Sequence, residues 1–131
     1  MKTLIVEDDF TARLQLQEIL GGFGTTHTAV NGREAVEAVS LALDQGEHYD
    51  LICLDIMMPE MDGLQAIKEI RSLEESREIM STNGSRIVMT TAASDIKNVS
   101  DAYSSLCDAY LVKPIDGETL IENLRKLGLV P

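Results

Sequence analysis

Glu7, Asp8, Asp55, Thr91 and Lys113 are the residues of this chain whose types could work as one chemical unit. Asp55 ends an apolar run that begins at Leu51, and the turn signals Pro59 and Asp62-Gly63 follow it. Glu7, Asp8 and Asp9 follow the apolar Leu4 to Val6, Thr90-Thr91-Ala92 closes a β-rich stretch, and Lys113-Pro114 follows Tyr110 to Val112. Carboxylates held close together repel, and without a cation at least one of them has its pKa raised. A hard divalent ion with oxygen ligands meets that need, Mg2+ foremost and Mn2+ as an alternative. With such an ion and the Lys113 ammonium nearby, a phosphoryl group carrying negative oxygens is welcome. A carboxylate can then act as nucleophile and form an acyl phosphate, with the Thr91 hydroxyl donating to the phosphoryl oxygens. Asp8 and Asp55 are far apart in sequence, so only a tertiary fold can unite them.

The elements that must do so are legible as alternating patterns. Short apolar or β-branched runs at 2–6, 25–30, 50–54, 86–90 and 108–112 predict five strands. Between them, apolar residues fall at helical spacing. The first set is Ala12, Leu16, Ile19, Leu20 and Phe23, ended by Gly21-Gly22; the second is Ala35, Val36, Val39, Ala42 and Leu43, opened by the Asn31…Glu34 capping box. The third, Ala66, Ile67, Ile70 and Leu73, follows Asp62-Gly63. Ile96, Val99, Tyr103 and Leu106 space a fourth helix capped at Ser94 or Asp95, and Leu120, Ile121, Leu124 and Leu127 a fifth capped at Asp116. The stretch 74–85 reads as a polar loop or a frayed extension of the third helix. Such alternation implies an α/β fold, a doubly wound parallel sheet with right-handed crossovers and five helices on both its faces. The commonest solution is flavodoxin-like, with strand order 2-1-3-4-5. Its strands share one carboxyl edge, and all five candidate residues belong to it.

Composition narrows the partners. The chain has 131 residues, 44% of them hydrophobic, which fits a single domain over 1–131 with a real core. Lys and Arg number 11 against 22 Asp and Glu, a net charge of −11 that disfavours direct binding to nucleic acid or to anionic lipid. No apolar stretch is long enough to span a membrane, and the start of the chain turns acidic too early for a signal peptide. Cys53 and Cys107 read as small core or near-core residues, and His27 and His48 lack ligand spacing. A cytoplasmic protein is expected.

On these motifs the chain resembles the response-regulator receiver domains of two-component signalling. The resemblance rests on Leu-Ile-Val-Glu-Asp-Asp at 4–9, Leu-Asp-Ile-Met-Met-Pro-Glu-Met-Asp-Gly at 54–63, Met-Thr-Thr-Ala at 89–92 and Tyr-Leu-Val-Lys-Pro at 110–114. It implies that Asp55 accepts a phosphoryl group from a sensor histidine kinase or a His-phosphotransferase. Asp8 matches the direct Mg2+ ligand, Glu7 its acidic neighbour, and the Met57 backbone carbonyl the third protein ligand. Thr91, rather than Thr90, matches the switch hydroxyl, Lys113 the phosphoryl-binding lysine, and Tyr110 the aromatic whose rotamer reports activation. The Lys113–Pro114 peptide is expected to be cis. Phosphorylation would draw Thr91 inward, turn Tyr110, and remodel the face of the fourth helix, fifth strand and fifth helix for a downstream protein partner. The long 74–85 connection and the apolar pair Met57 and Ala93, which flank the phosphoryl position, depart from the commonest pattern. The pair leads us to expect a long-lived acyl phosphate.

Rival readings make weaker use of the same residues. A phosphohydrolase of the haloacid-dehalogenase type needs a second Asp where Met57 stands, and a flavodoxin-like electron carrier needs hydroxyls where Glu7-Asp8-Asp9 stands. A degenerate receiver acting as a phosphorylation-independent binding module leaves the full set of Asp8, Asp55, Thr91 and Lys113 without a use. The expectation is therefore a stand-alone phosphoacceptor without an effector domain, and no enzyme beyond its own phosphorylation and dephosphorylation.

Overall fold

The computed structural model describes residues 1–58, 61–79, 83–92 and 106–131. Five strands, β1 (Thr3–Val6), β2 (Thr26–Ala29), β3 (Leu51–Asp55), β4 (Arg86–Thr91) and β5 (Ala109–Val112), form one parallel sheet of order 2-1-3-4-5, as expected. Four α-helices lie among the described residues: α1 (Phe10–Leu20), α2 (Gly32–Asp44), α3 (Gly63–Ser76) and α4 (Gly117–Lys126). The helix expected from Ile96, Val99 and Tyr103, capped at Ser94 or Asp95, falls outside the described residues, so α4 is the fifth helix of the sequence reading.

Strand alternation divides the core in two. Leu4, Val6, Ile52, Leu54, Ile87 and Met89 face α2 and α3, packing with Ala35, Val39, Ala66, Ile67 and Ile70. Ile5, Leu51, Cys53, Val88 and Leu111 face α1 and α4, packing with Leu16, Leu20, Leu120 and Leu124. All five residues of β3 are buried, because both faces of this central strand are covered. Burying each such aliphatic side chain stabilises the fold by about 1.5–3 kcal/mol, which makes β3 a rigid base for Asp55.

The helix starts follow from four side chains. Asp9, Asn31, Asp62 and Asp116 each accept the backbone N–H of the third residue on, at Ala12, Glu34, Gln65 and Thr119. A cap of this kind is worth about 1 kcal/mol. Glu34 reaches back over the same helix end, where its Oε1 accepts from Val30 N at 3.0 Å.

Boundaries shift by a residue at several strands; Asp55 closes β3 and Thr91 closes β4. At 74–85 the extension of the third helix holds at its start, since the helix runs on through Ser76. The sequence did not announce that Glu74, in this polar stretch, is buried. Its carboxylate is fully partnered: Oε1 meets Arg71 Nη1 at 2.8 Å and Oε2 accepts from Ser85 N at 2.7 Å. Arg71 also donates to the carbonyls of Ser85 and Leu106 and to Asp108 Oδ2. This network ties α3 to the amino ends of β4 and β5, at the pole opposite the expected site.

Candidate functional site

Strand register brings the carboxylates together. Val6 pairs with Leu54 and Asp55 with Thr90, so Glu7, Asp55 and Thr90 continue the same side of neighbouring strands. Ligand oxygens of Glu7, Asp8 and Asp55 all lie within 4.8 Å of one another. Glu7 and Asp55 are almost wholly buried, whereas Asp8 is exposed. Lys113 reaches across from the end of β5, with Nζ 3.1 Å from Asp55 Oδ2 and 3.1 Å from Glu7 Oε2. The peptide bond that follows it, Lys113–Pro114, is cis. A cleft of about 480 Å3 runs from Glu7 and Lys113 past Thr90 to Asp9, Gln15 and Ile115.

One ammonium shared by these carboxylates does not balance them. Burial first, and then the charge of Asp55, push the Glu7 carboxyl up to about 7, against the opposing pull of Lys113. Burial alone would lower Lys113, but Asp55 and Glu7 outweigh it and hold the ammonium above its ordinary value. A hard cation resolves the same conflict, and a donor set of oxygens alone fits Mg2+. Glu7, Asp8 and Asp55 are the side chains able to hold it.

The β3–α3 connection fixes how Asp55 is presented. Ile56 N donates to Thr90 O at 3.1 Å, extending the β3–β4 pairing one residue past Asp55, and Met57 N donates to Asp55 Oδ1 at 3.3 Å. Gly63 N then donates to Ile56 O at 2.9 Å. A Cβ on Gly63 would lie 2.7 Å from Ile56 Cα and 2.8 Å from Asp55 O, so only glycine lets α3 start this close to the site. The Met57 side chain is 65% exposed, and Ala93 lies outside the described residues.

The hydroxyls divide. Thr91 is buried, and its Oγ1 donates to the Ala92 carbonyl at 3.2 Å. Thr90, which the motif comparison set aside, lines the cleft with Glu7 and Lys113. Tyr110 is at the exposed edge strand β5; Thr91 pairs with Val112, so Tyr110, two residues back, projects from the same face of the sheet as Thr91. A contact that sequence reasoning missed is Arg13, whose Nη1 donates to the Glu7 carbonyl at 2.9 Å. An arginine on the first turns of an acidic-capped helix carries no signal that it will fold back on the preceding strand end.

A doubly wound parallel sheet with an aspartate, two further carboxylates and a lysine gathered at its carboxyl edge defines a flavodoxin-like protein with an acidic, lysine-bearing strand-end site. Comparison with known proteins narrows this class. The sequence profile of the response regulator receiver domain matches residues 3–125, and the chain belongs to that family of two-component signalling proteins. It is 34% identical over 128 residues to the chemotaxis protein CheY of Bacillus subtilis, covering 95% of each chain. It is 32% identical over 124 residues to the transcriptional regulatory protein ZraR of Escherichia coli, of which it spans 25%. Its fold matches, with a TM-score of 0.78 and 25% identity, a chain in the crystal structure of a CheX–CheY–BeF3–Mg2+ complex from Borrelia burgdorferi, covering 98% of this chain and 89% of the other. Among the described residues no helix is long and apolar enough to cross a membrane.

Proposed function

We propose that this chain is a phosphoacceptor in a two-component or phosphorelay pathway, taking a phosphoryl group onto Asp55 from the phosphohistidine of a sensor kinase or His-phosphotransferase. The observation that carries this reading is the convergence of Asp55, Glu7 and Asp8 within 4.8 Å, with Lys113 Nζ 3.1 Å from Asp55. An Asp55 carboxylate oxygen attacks phosphorus, the P–N bond breaks, and the electron pair leaves with the imidazole of the donor. Mg2+ held by Glu7, Asp8 and Asp55, with the Met57 carbonyl as the family's further ligand, would supply charge neutralisation at the phosphoryl oxygens. Lys113 already lies against Asp55 and carries its ammonium to the new phosphoryl group. Thr91 gives up the Ala92 carbonyl and donates to a phosphoryl oxygen, and Tyr110 turns on the same face of the sheet. Phosphorylation thereby shifts the population of the face around β5 and α4, where a downstream protein binds.

In this reading the protein is cytoplasmic, acts on no substrate but its own Asp55, and makes no direct contact with nucleic acid. The apolar Met57, exposed beside the site, fails to orient a hydrolytic water, so the acyl phosphate is long-lived. The test is intact mass after incubation with acetyl phosphate, with and without Mg2+, beside Asp55→Asn. A Mg2+-dependent gain of one phosphoryl group, lost in the variant, is expected. A folded protein that gains none would instead be a phosphorylation-independent binding module. Thr91→Val, with Thr90→Val beside it, separates the two hydroxyls: only the first is expected to uncouple phosphorylation from the change at Tyr110.

A further inference from the structure

We infer that Arg13 is a positioning residue for the cation site: its guanidinium holds the turn that carries Asp8 in the pose the ion requires. The inference rests on the proposed Mg2+ site and adds to it a residue that binds neither ion nor phosphoryl group.

Asp8 is the exposed member of the carboxylate cluster, and the chain on either side of it is pinned. Before it, Glu7 N donates to Ala29 O at 3.0 Å, and Glu7 O accepts from Arg13 Nη1 at 2.9 Å. After it, the Asp9 side chain accepts from Ala12 N at 2.8 Å, and the Asp9 carbonyl accepts from Arg13 N at 2.9 Å. Arg13 thus grips both flanks of Asp8, one by its side chain and one by its backbone. The guanidinium is itself steadied over the Phe10 ring, with its carbon 5.5 Å from the ring centroid. Cutting the side-chain bond leaves the Glu7 carbonyl without this donor, so that on its strand side the Asp8 turn is held only through Glu7 N and Ala29 O. Groups that orient metal ligands from behind typically change affinity by about 10–100-fold when removed.

Sign separates this role from plain electrostatics. If Arg13 acted only as a nearby positive charge, its removal would relieve repulsion of the ion and tighten binding. If it positions Asp8, removal weakens binding despite the lost repulsion. Lysine keeps the charge but lacks the planar fork, so Arg13→Lys should also weaken binding, by less.

The experiment is a calorimetric titration of Mg2+ into the wild type, Arg13→Ala, Arg13→Met and Arg13→Lys, with melting temperature in EDTA as the fold control. We expect Kd to rise roughly tenfold in Arg13→Ala and Arg13→Met and less in Arg13→Lys. With acetyl phosphate, the Mg2+ concentration for half-maximal rate rises in the same order while the rate at saturating Mg2+ is kept. Unchanged or tighter Mg2+ binding in the folded variants overturns the inference and leaves the site standing. Should Arg13→Ala and Arg13→Met fail to fold, Arg13→Lys decides by the same criterion. A wild type that binds no Mg2+ overturns the proposed site itself.

Discussion

Glu7→Gln is expected to reverse the usual consequence of removing a buried, ion-paired carboxylate: without a divalent cation it should stabilise the protein above neutral pH. The folded carboxyl is pushed up to about 7 from an ordinary 4.5, by burial and by Asp55. Between those two values the folded state holds a proton that the unfolded state has released, so stability falls as pH rises through this window. At about 1.4 kcal/mol per tenfold in proton affinity, the ceiling is about 3 kcal/mol. The cleft opens to solvent at Asp8, and screening there reduces the expected effect to about 2 kcal/mol. Urea unfolding of wild type and Glu7→Gln in EDTA, from pH 4.5 to 8, gives the difference, with groups away from Glu7, Asp55 and Lys113 common to both. The wild type should lose stability relative to the variant across the window, with most of the loss complete just above 7. Mg2+ displaces the proton, so its apparent affinity for the wild type should rise over the same range and then level off. Parallel pH profiles for the two proteins would refute the account, because they would mean that Glu7 titrates alike folded and unfolded.

Three substitutions probe the frame, one beside the site and two at the far pole. Gly63→Ala drives a Cβ to 2.7 Å from Ile56 Cα, where backbone rather than a flexible side chain must yield; a loss of about 1–3 kcal/mol in urea unfolding is expected, together with slower phosphorylation by acetyl phosphate. Wild-type stability with wild-type rate would show that the β3–α3 turn has slack. At the opposite pole, Arg71→Ala strands the buried Glu74 carboxylate and should cost about 3–5 kcal/mol, whereas Glu74→Gln keeps the shape and should cost only about 1–2 kcal/mol. Equal losses in these two variants would contradict the burial of a charged Glu74.

Much of this was legible in the sequence because it depends on short-range pattern. Strand and helix order, the caps at Asn31 and Asp116, and the gathering of Glu7, Asp8, Asp55 and Lys113 all follow from alternation and from the shared carboxyl edge of a parallel sheet. What escaped depends on side chains that reach across the fold. Glu74 looks like the start of a polar loop, since nothing nearby announces that Arg71 and Ser85 will satisfy it in the interior. Arg13 looks like a solvated cation, because its contact is a backbone carbonyl six positions back. The adjacent Thr90 and Thr91 cannot be ranked by type; strand parity puts the first with Asp55 and the second with Tyr110.

The two ends of the sheet therefore follow opposite electrostatic rules. At the amino ends of β4 and β5, Arg71 meets Glu74 and Asp108, and Ile87 N donates to Asp108 Oδ2 at 2.8 Å, so charge is matched by partners. At the carboxyl ends, Glu7 and Asp55 share Lys113 and still strain against each other. A site whose charge opposes folding binds a cation more tightly to the folded chain than to the unfolded one, and gains stability when it is bound. The coupling should be measurable between Glu7 and Asp55 themselves. Asp55 is the second cause of the raised Glu7 carboxyl, so in an Asp55→Asn background the stabilising effect of Glu7→Gln in EDTA should shrink by about 1 kcal/mol. The double-mutant cycle in urea at pH 8 reads this term. Additive effects would mean that the two carboxylates do not sense each other, and the case for a cation between them would fall with that result.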